Sequence, residues 1–205
     1  MRQTNERIGV LDLQGAVAEH LTMLELCGVQ AVAVKRANEL EGLQGLIVPG
    51  GESTAIGKLM VKYGFVEGIK ELVSKEFPIY GTCAGLILLA KRLTEGDQPL
   101  LGLMDIEVKR NAFGRQVDSF EASLDIPSLG AKPFPGVFIR APWIEEVGPT
   151  VKVMSRYRDK AIMAQEGALL VTAFHPELTS DPRIHRYFVE MTRKFVSVSE
   201  TSERK

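Results

Sequence analysis

Pro78-Ile79-Tyr80-Gly81-Thr82-Cys83-Ala84-Gly85-Leu86-Ile87-Leu88-Leu89-Ala90 is the stretch from which the fold can be read. Pro78 to Tyr80 reads as a short buried strand running into Gly81-Thr82-Cys83, and the small and apolar residues Ala84 to Ala90 read as a helix. A strand that turns at once into a helix around a G-x-Cys-x-G sequence has the form of a nucleophile elbow, with cysteine in place of serine. The glycines suit a tight turn whose nucleophile sits in strained backbone. The helix N-terminus at the sulfur favours thiolate, and the N–H of Ala84 is placed to donate to a developing oxyanion. A structural cysteine in a glycine-rich turn is the alternative, and this motif alone does not remove it.

Upstream, the chain repeats the same rhythm. Ile8 to Leu13 reads as a buried strand, followed by a helix through Val17, Leu21, Leu24 and Leu26 that stops at Gly28. Ala31 to Val34 and Leu46 to Val48 are further strands. Ser53 reads as the N-cap of a helix through Ile56, Leu59 and Met60, and another helix spans Val66 to Val73. Alternating β and α elements predict a mostly parallel sheet covered by helices on both faces. Asp12 is a misfit, a carboxylate inside an expected buried strand. Downstream of Leu100, Ile106–Val108, Val117–Leu124, Gly136–Arg140, Val151–Met154, Ala161–Ala164 and Leu169–Phe174 read as strands forming antiparallel pairs. A closing helix carries Ile184, Tyr187, Phe188, Met191 and Phe195 on one stripe, and a polar, frayed tail is expected after Val198. The expectation is an α/β three-layer fold with a central mixed, mostly parallel sheet, forming one domain over residues 1–205 with its core at about 7–197 and its tail at 198–205.

Two further segments supply chemistry. Phe174-His175-Pro176-Glu177 follows a late strand. Pro176 holds His175 extended, and residues two apart in an extended chain share a side. Glu177 can then fix the tautomer of His175 and leave its other nitrogen free to take a proton from a thiol. His20 and His185, on helical patterns, read as ordinary core or surface histidines. Pro49-Gly50-Gly51-Glu52-Ser53-Thr54 follows another strand, at the kind of carboxyl end that lines the crevice of an open α/β sheet. Its glycines let the backbone approach a substrate, so the N–H of Gly51 can complete an oxyanion hole with Ala84. The G-K-[ST] ending of a phosphate-binding loop is absent. Nucleophile, base with orienter, and oxyanion donors together make an acyl-transfer set.

Composition narrows the class. The 205 residues are 45% hydrophobic and 25% charged, and 25 basic against 26 acidic side chains give a net charge of −1. That balance argues against nucleic-acid or membrane-surface binding. A basic cluster at Arg183, His185, Arg186, Arg193 and Lys194 reads as a solvated helix face. The two cysteines, Cys27 and Cys83, do not form a disulfide framework, and no Cys/His cluster has metal-ligand spacing. With neither signal peptide nor membrane span in evidence, a soluble, cytoplasmic protein is expected.

These motifs resemble the triad, or class I, glutamine amidotransferases, which carry a G-x-C-x-G elbow and a later H-P-E. The resemblance is closer to the glutaminase-subunit family of pyridoxal 5′-phosphate synthases. It rests on Leu13-Gln14-Gly15-Ala16 with Glu19-His20, on Pro49 to Thr54, on Arg110-Asn111-Ala112-Phe113-Gly114-Arg115-Gln116 and on Phe138-Ile139-Arg140-Ala141-Pro142. It covers the chain from Ile8 to about Phe195. The resemblance implies a flavodoxin-like amidotransferase fold and hydrolysis of L-glutamine to glutamate and ammonia through a Cys83–His175–Glu177 triad and a thioester. It implies that ammonia passes to a (β/α)₈ synthase subunit, typically with twelve glutaminase subunits on a double hexameric ring of synthase subunits. It implies glutamine binding by Gly51, Glu52, Ser53, Arg110, Ile139 and Arg140, and a partner surface near Gln14 and Gly15. No cofactor is implied, since pyridoxal phosphate would be a product of the complex. Three rivals remain: a free-standing cysteine hydrolase, a silent scaffold, and a glutaminase serving another synthase. The missing histidine after Cys83 and the P-G-G-E-S-T run count against the first, and the intact triad against the second.

Overall fold

The computed structural model describes residues 6–112 and 119–202. The first half alternates as expected: β1 (Arg7–Leu11), α1 (Val17–Leu26), β2 (Gln30–Val34), β3 (Gly45–Val48), α2 (Ser53–Lys62), α3 (Phe65–Val73), β4 (Ile79–Thr82) and α4 (Ala84–Leu89). There follow β5 (Ala90–Leu93), β6 (Met104–Lys109), β7 (Ser119–Leu124), β8 (Phe134–Ile139), β9 (Trp143–Val147), β10 (Lys152–Tyr157), β11 (Lys160–Glu166), β12 (Leu169–Thr172) and α5 (Arg183–Ser202). Among the described residues, ten strands form one sheet in the order β2-β1-β3-β4-β12-β11-β9-β6-β5, with β10 beside β11, while β7 and β8 form a separate hairpin.

Strands β3, β4 and β12 are buried along their whole length, as both-face coverage demands of central strands. Among the later strands, β11 runs antiparallel to β12 and β10, as expected, and also to β9. The strand expected at Leu169–Phe174 departs from that pattern on its other side. It ends at Thr172 and lies parallel to β4, with Leu169 opposite Ile79 and Thr172 opposite Thr82. The carboxyl ends of β3, β4 and β12 therefore open onto one crevice, bringing together the three chemistry-bearing segments.

Several local expectations need correction. The first strand stops at Leu11, so Asp12 lies past its end: its N–H donates to the Val34 carbonyl at 2.8 Å and its carboxylate pairs with Lys35 at 3.4 Å. Strands β5 and β9 had no sequence signature. Lys91 and Arg92 are exposed in the first, and Glu145, Glu146 and Val147 in the second, so neither carries an apolar alternation. The cap of α2 is Glu52, not Ser53, because the longer carboxylate reaches the N–H groups of Thr54 and Ala55, at 3.1 and 2.8 Å. The basic cluster is not one solvated face. His185 is buried, Arg183 donates to Asp181 and to the Lys132 and Pro133 carbonyls, and Arg193 pairs with Glu6 at 2.8 Å. Helix α5 continues to Ser202, beyond the point where a frayed tail was expected. Residues 113–118, from Phe113 through Arg115, Gln116 and Val117, lie outside the described residues. Among those described, no helix is long and apolar enough to cross a membrane.

Candidate active site

Cys83 stands between β4 and α4 with φ 47° and ψ −96°, in backbone that L-residues rarely adopt. The turn is held from both sides. The Cys83 N–H donates to the Thr172 carbonyl at 2.8 Å, and its own carbonyl accepts from Ile87 N–H at 3.2 Å. The flanking glycines are required by close approach: a Cβ on Gly85 would lie 2.0 Å from the Val48 carbonyl oxygen, and one on Gly81 would lie 2.6 Å from the Gly85 carbonyl carbon.

His175 follows β12 and is fixed by its N–H bond to the Val137 carbonyl on β8, at 2.8 Å. Its Nδ1 lies 2.7 Å from Glu177 Oε1. Cys83 and His175 are each 7% exposed and Glu177 is 4% exposed, so the carboxylate is screened from water while sulfur and imidazole sit at its edge. Burial disfavours a charge on His175, yet hydrogen bonding to Cys83 and Glu177, reinforced by their charges, outweighs it and lifts its pKa to about 10. A cationic imidazole facing the sulfur is the environment that activates a cysteine nucleophile. Helix α4, six residues long, begins at the residue after Cys83, and His175 is the group hydrogen-bonded to the sulfur.

The Pro49–Ser53 loop closes one side. Gly50 is buried, and a Cβ there would sit 2.4 Å from His175 Cε1. The Gly50 carbonyl accepts from Ala16 N–H at 3.1 Å, and the Gln14 side-chain oxygen accepts from Glu52 N–H at 2.8 Å. Gly15 has φ +112° and would, with a Cβ, meet the Gly50 oxygen at 1.9 Å. Gln14 and Gly15 are thus exposed residues locked against this loop. On the other side, the Ile139 carbonyl lies 3.9 Å from Cys83 Sγ, and Arg140 follows it with φ 41°. Arg110 Nη2 lies 3.7 Å from Glu52 Oε1. Ser53 is buried, and its hydroxyl donates to Gln98 Oε1 at 3.1 Å, leaving its backbone N–H as what it can offer a ligand.

Sequence reasoning missed what lies behind the carboxylate. His20 from α1 and His185 from α5 are fully buried, with His20 Nδ1 2.9 Å from His185 Nε2. His20 Nε2 lies 3.1 Å from Thr82 Oγ1 and 3.5 Å from Glu177 Oε2. The helical phase carried a signal: His20 shares its face with buried Met23 and Leu24. Nothing in the sequence showed that two helices would bring these imidazoles together behind Glu177. Among the described residues, no group of three or more His, Cys, Asp or Glu side chains is arranged to hold a metal ion.

A curled, mostly parallel sheet flanked by helices is the fold of the class I glutamine amidotransferases. A crystal structure described as glutamine amidotransferase is similar at TM-score 0.86 and 47% identity, covering 90% of this chain and 98% of that one. A glutamine amidotransferase from Thermotoga maritima shares the fold at TM-score 0.60 and 14% identity, over 98% of this chain and 91% of its own. Residues 10–194 match the SNO glutamine amidotransferase family, and the chain belongs to it. Among its relatives, the pyridoxal 5′-phosphate synthase subunit PdxT of Moorella thermoacetica is 56% identical over 185 residues, 90% of this chain and 98% of that protein. The subunit of the same name from Brevibacillus brevis is 56% identical over 191 residues, 93% of this chain and all of its own.

Proposed function

We propose that this chain hydrolyses L-glutamine to L-glutamate and ammonia and delivers the ammonia to the synthase subunit of a pyridoxal 5′-phosphate synthase, with residues about 7–197 acting as one cytoplasmic glutaminase unit. The observation that carries the chemistry is the 2.7 Å His175–Glu177 bond beside Cys83 on a strained elbow. The assignment to this synthase is supported by family membership and by relatives that align along nearly their whole length.

In the proposed reaction the Cys83 sulfur attacks the side-chain amide carbon, forming a C–S bond while the carbonyl electron pair moves to oxygen. The N–H groups of Gly51 and Ala84 take up that oxyanion. Collapse breaks the C–N bond, His175 gives its proton to the leaving nitrogen, and a thioester remains. Water then attacks the thioester carbon as His175 takes its proton, the C–S bond breaks with its electron pair returning to the Cys83 sulfur, and glutamate leaves. Glu177 keeps the imidazole in the orientation both steps need.

For substrate binding, the Glu52–Arg110 pair suits an α-amino acid, which brings an ammonium and a carboxylate. Arg140 adds a second cation, the Ile139 carbonyl lies close to the sulfur, and the backbone of Ser53 offers a further polar group. The exposed Gln14–Gly15 segment, packed on the oxyanion loop, is the proposed contact through which a (β/α)₈ partner adjusts that loop, in a hetero-oligomer of twelve subunits of each kind. Unchanged partner binding and unchanged stimulated activity in Gln14→Ala would remove that role.

The test is glutamate release from glutamine by the purified chain, alone and with its synthase partner, with Cys83→Ala as the blank. Release that rises with the partner and vanishes in the variant is expected. No release in either condition from folded protein would put the silent-scaffold reading in its place.

A further inference from the structure

We propose that His20 and His185 are positioning residues for the reaction, a buried pair of neutral imidazoles that holds the second oxygen of Glu177. The proposal rests on the glutaminase reading of Cys83, His175 and Glu177. One oxygen of Glu177 accepts from His175, whereas the other, Oε2, is buried with no hydrogen-bond partner, and His20 Nε2 lies 3.5 Å from it. A buried carboxylate oxygen needs a donor, and His20 is placed to be one.

The tautomers follow from the contacts. Beside a carboxylate, His20 carries its proton on Nε2, shared between Glu177 and Thr82 at 3.5 and 3.1 Å. Its Nδ1 is then an acceptor and takes the proton of His185 Nε2 at 2.9 Å. His185 Nδ1 is left as the bare nitrogen, and it is the ring atom that has no partner. Burial, with His185 and His175 nearby, keeps His20 uncharged, and burial holds His185 down to about 3. Two helices thereby grip the carboxylate from behind. The same helix α1 begins at the Ala16 contact with the oxyanion loop, so one element braces both halves of the site.

Glutamine and asparagine separate this role from packing, because a glutamine amide reaches the position of Nε2 and an asparagine amide only that of Nδ1. For glutamate release by the full chain with its synthase partner, His20→Gln should stay within about threefold of wild type. His20→Asn should lose roughly 10–100-fold in kcat at unchanged KM, the loss expected for one hydrogen bond to a buried charge. Glu177 faces His175, His20 with His185 behind it, and Tyr80. That carboxylate helps to hold His175 up at about 10, so loss of its donor in His20→Asn should move the alkaline limb of kcat/KM, and the alkaline step in Cys83 alkylation by iodoacetamide, to lower pH, with no such move in His20→Gln. Equal loss in both variants, or loss in neither, overturns the proposal. If wild type releases no glutamate the glutaminase reading fails, and the alkylation profiles still decide between these outcomes.

Discussion

The contact between Gly50 and His175 permits a sharp test. Gly50 does not have positive φ, so alanine there meets no backbone penalty and only its Cβ matters. That Cβ would lie 2.4 Å from His175 Cε1, 2.9 Å from Nδ1 and 3.5 Å from the Cβ of Cys83. Ordinary contact requires either the ring or the loop to give way by about 1 Å. The ring is tied to Glu177 at 2.7 Å, and the loop is tied through the Gly50 carbonyl to Ala16 at 3.1 Å. Whichever moves, the base or the oxyanion donors are displaced, and displacement on that scale costs on the order of 100-fold in kcat. Steady-state glutamate release with the partner present should show that fall in Gly50→Ala, with KM far less affected. Gly28→Ala is the control: with φ +81° and nothing within 4 Å of its Cβ, it should lose about 1–2 kcal/mol of stability and no activity. A Gly50→Ala enzyme within about threefold of wild type in kcat would refute the reasoning.

Cys83→Ala should cost roughly 10⁴-fold or more in glutamate release, while Glu177→Gln should cost less because both reacting groups remain. Glu52→Ala removes the cap of α2, so urea unfolding should show a loss of about 0.5–2 kcal/mol, and the lost partner of Arg110 should appear as a raised KM. His175, with its pKa raised to about 10, contributes stability that is full below pH ~6.5 and fades as pH rises toward that value. The melting-temperature gap between wild type and Glu177→Gln should therefore narrow from pH 6 to pH 10. His185, lowered to about 3, acts in the opposite sense, destabilising the fold progressively as pH falls from ~6.5. Acid melts of His185→Gln should be shallower than wild type over that range.

The sequence by itself determined whatever depends on near neighbours. The elbow was legible because strand, turn, nucleophile and helix are consecutive from Ile79 to Leu89, and the His175–Glu177 bond because two residues in extended chain share a side. Parallel strands β1, β3 and β4 were legible from continuous apolar runs. The edge strand β5 and the interior strand β9 were not, since neither carries an apolar period and most of their exposed positions are charged. Tertiary structure decided which elements meet. Only the pairing of β12 with β4 sets His175 beside Cys83, and only the packing of α1 and α5 over the sheet brings His20 and His185, 165 residues apart, behind Glu177. The physical reason is that periodicity reports which face of an element is buried, whereas the partner it is buried against is set by strand order, which no local pattern encodes.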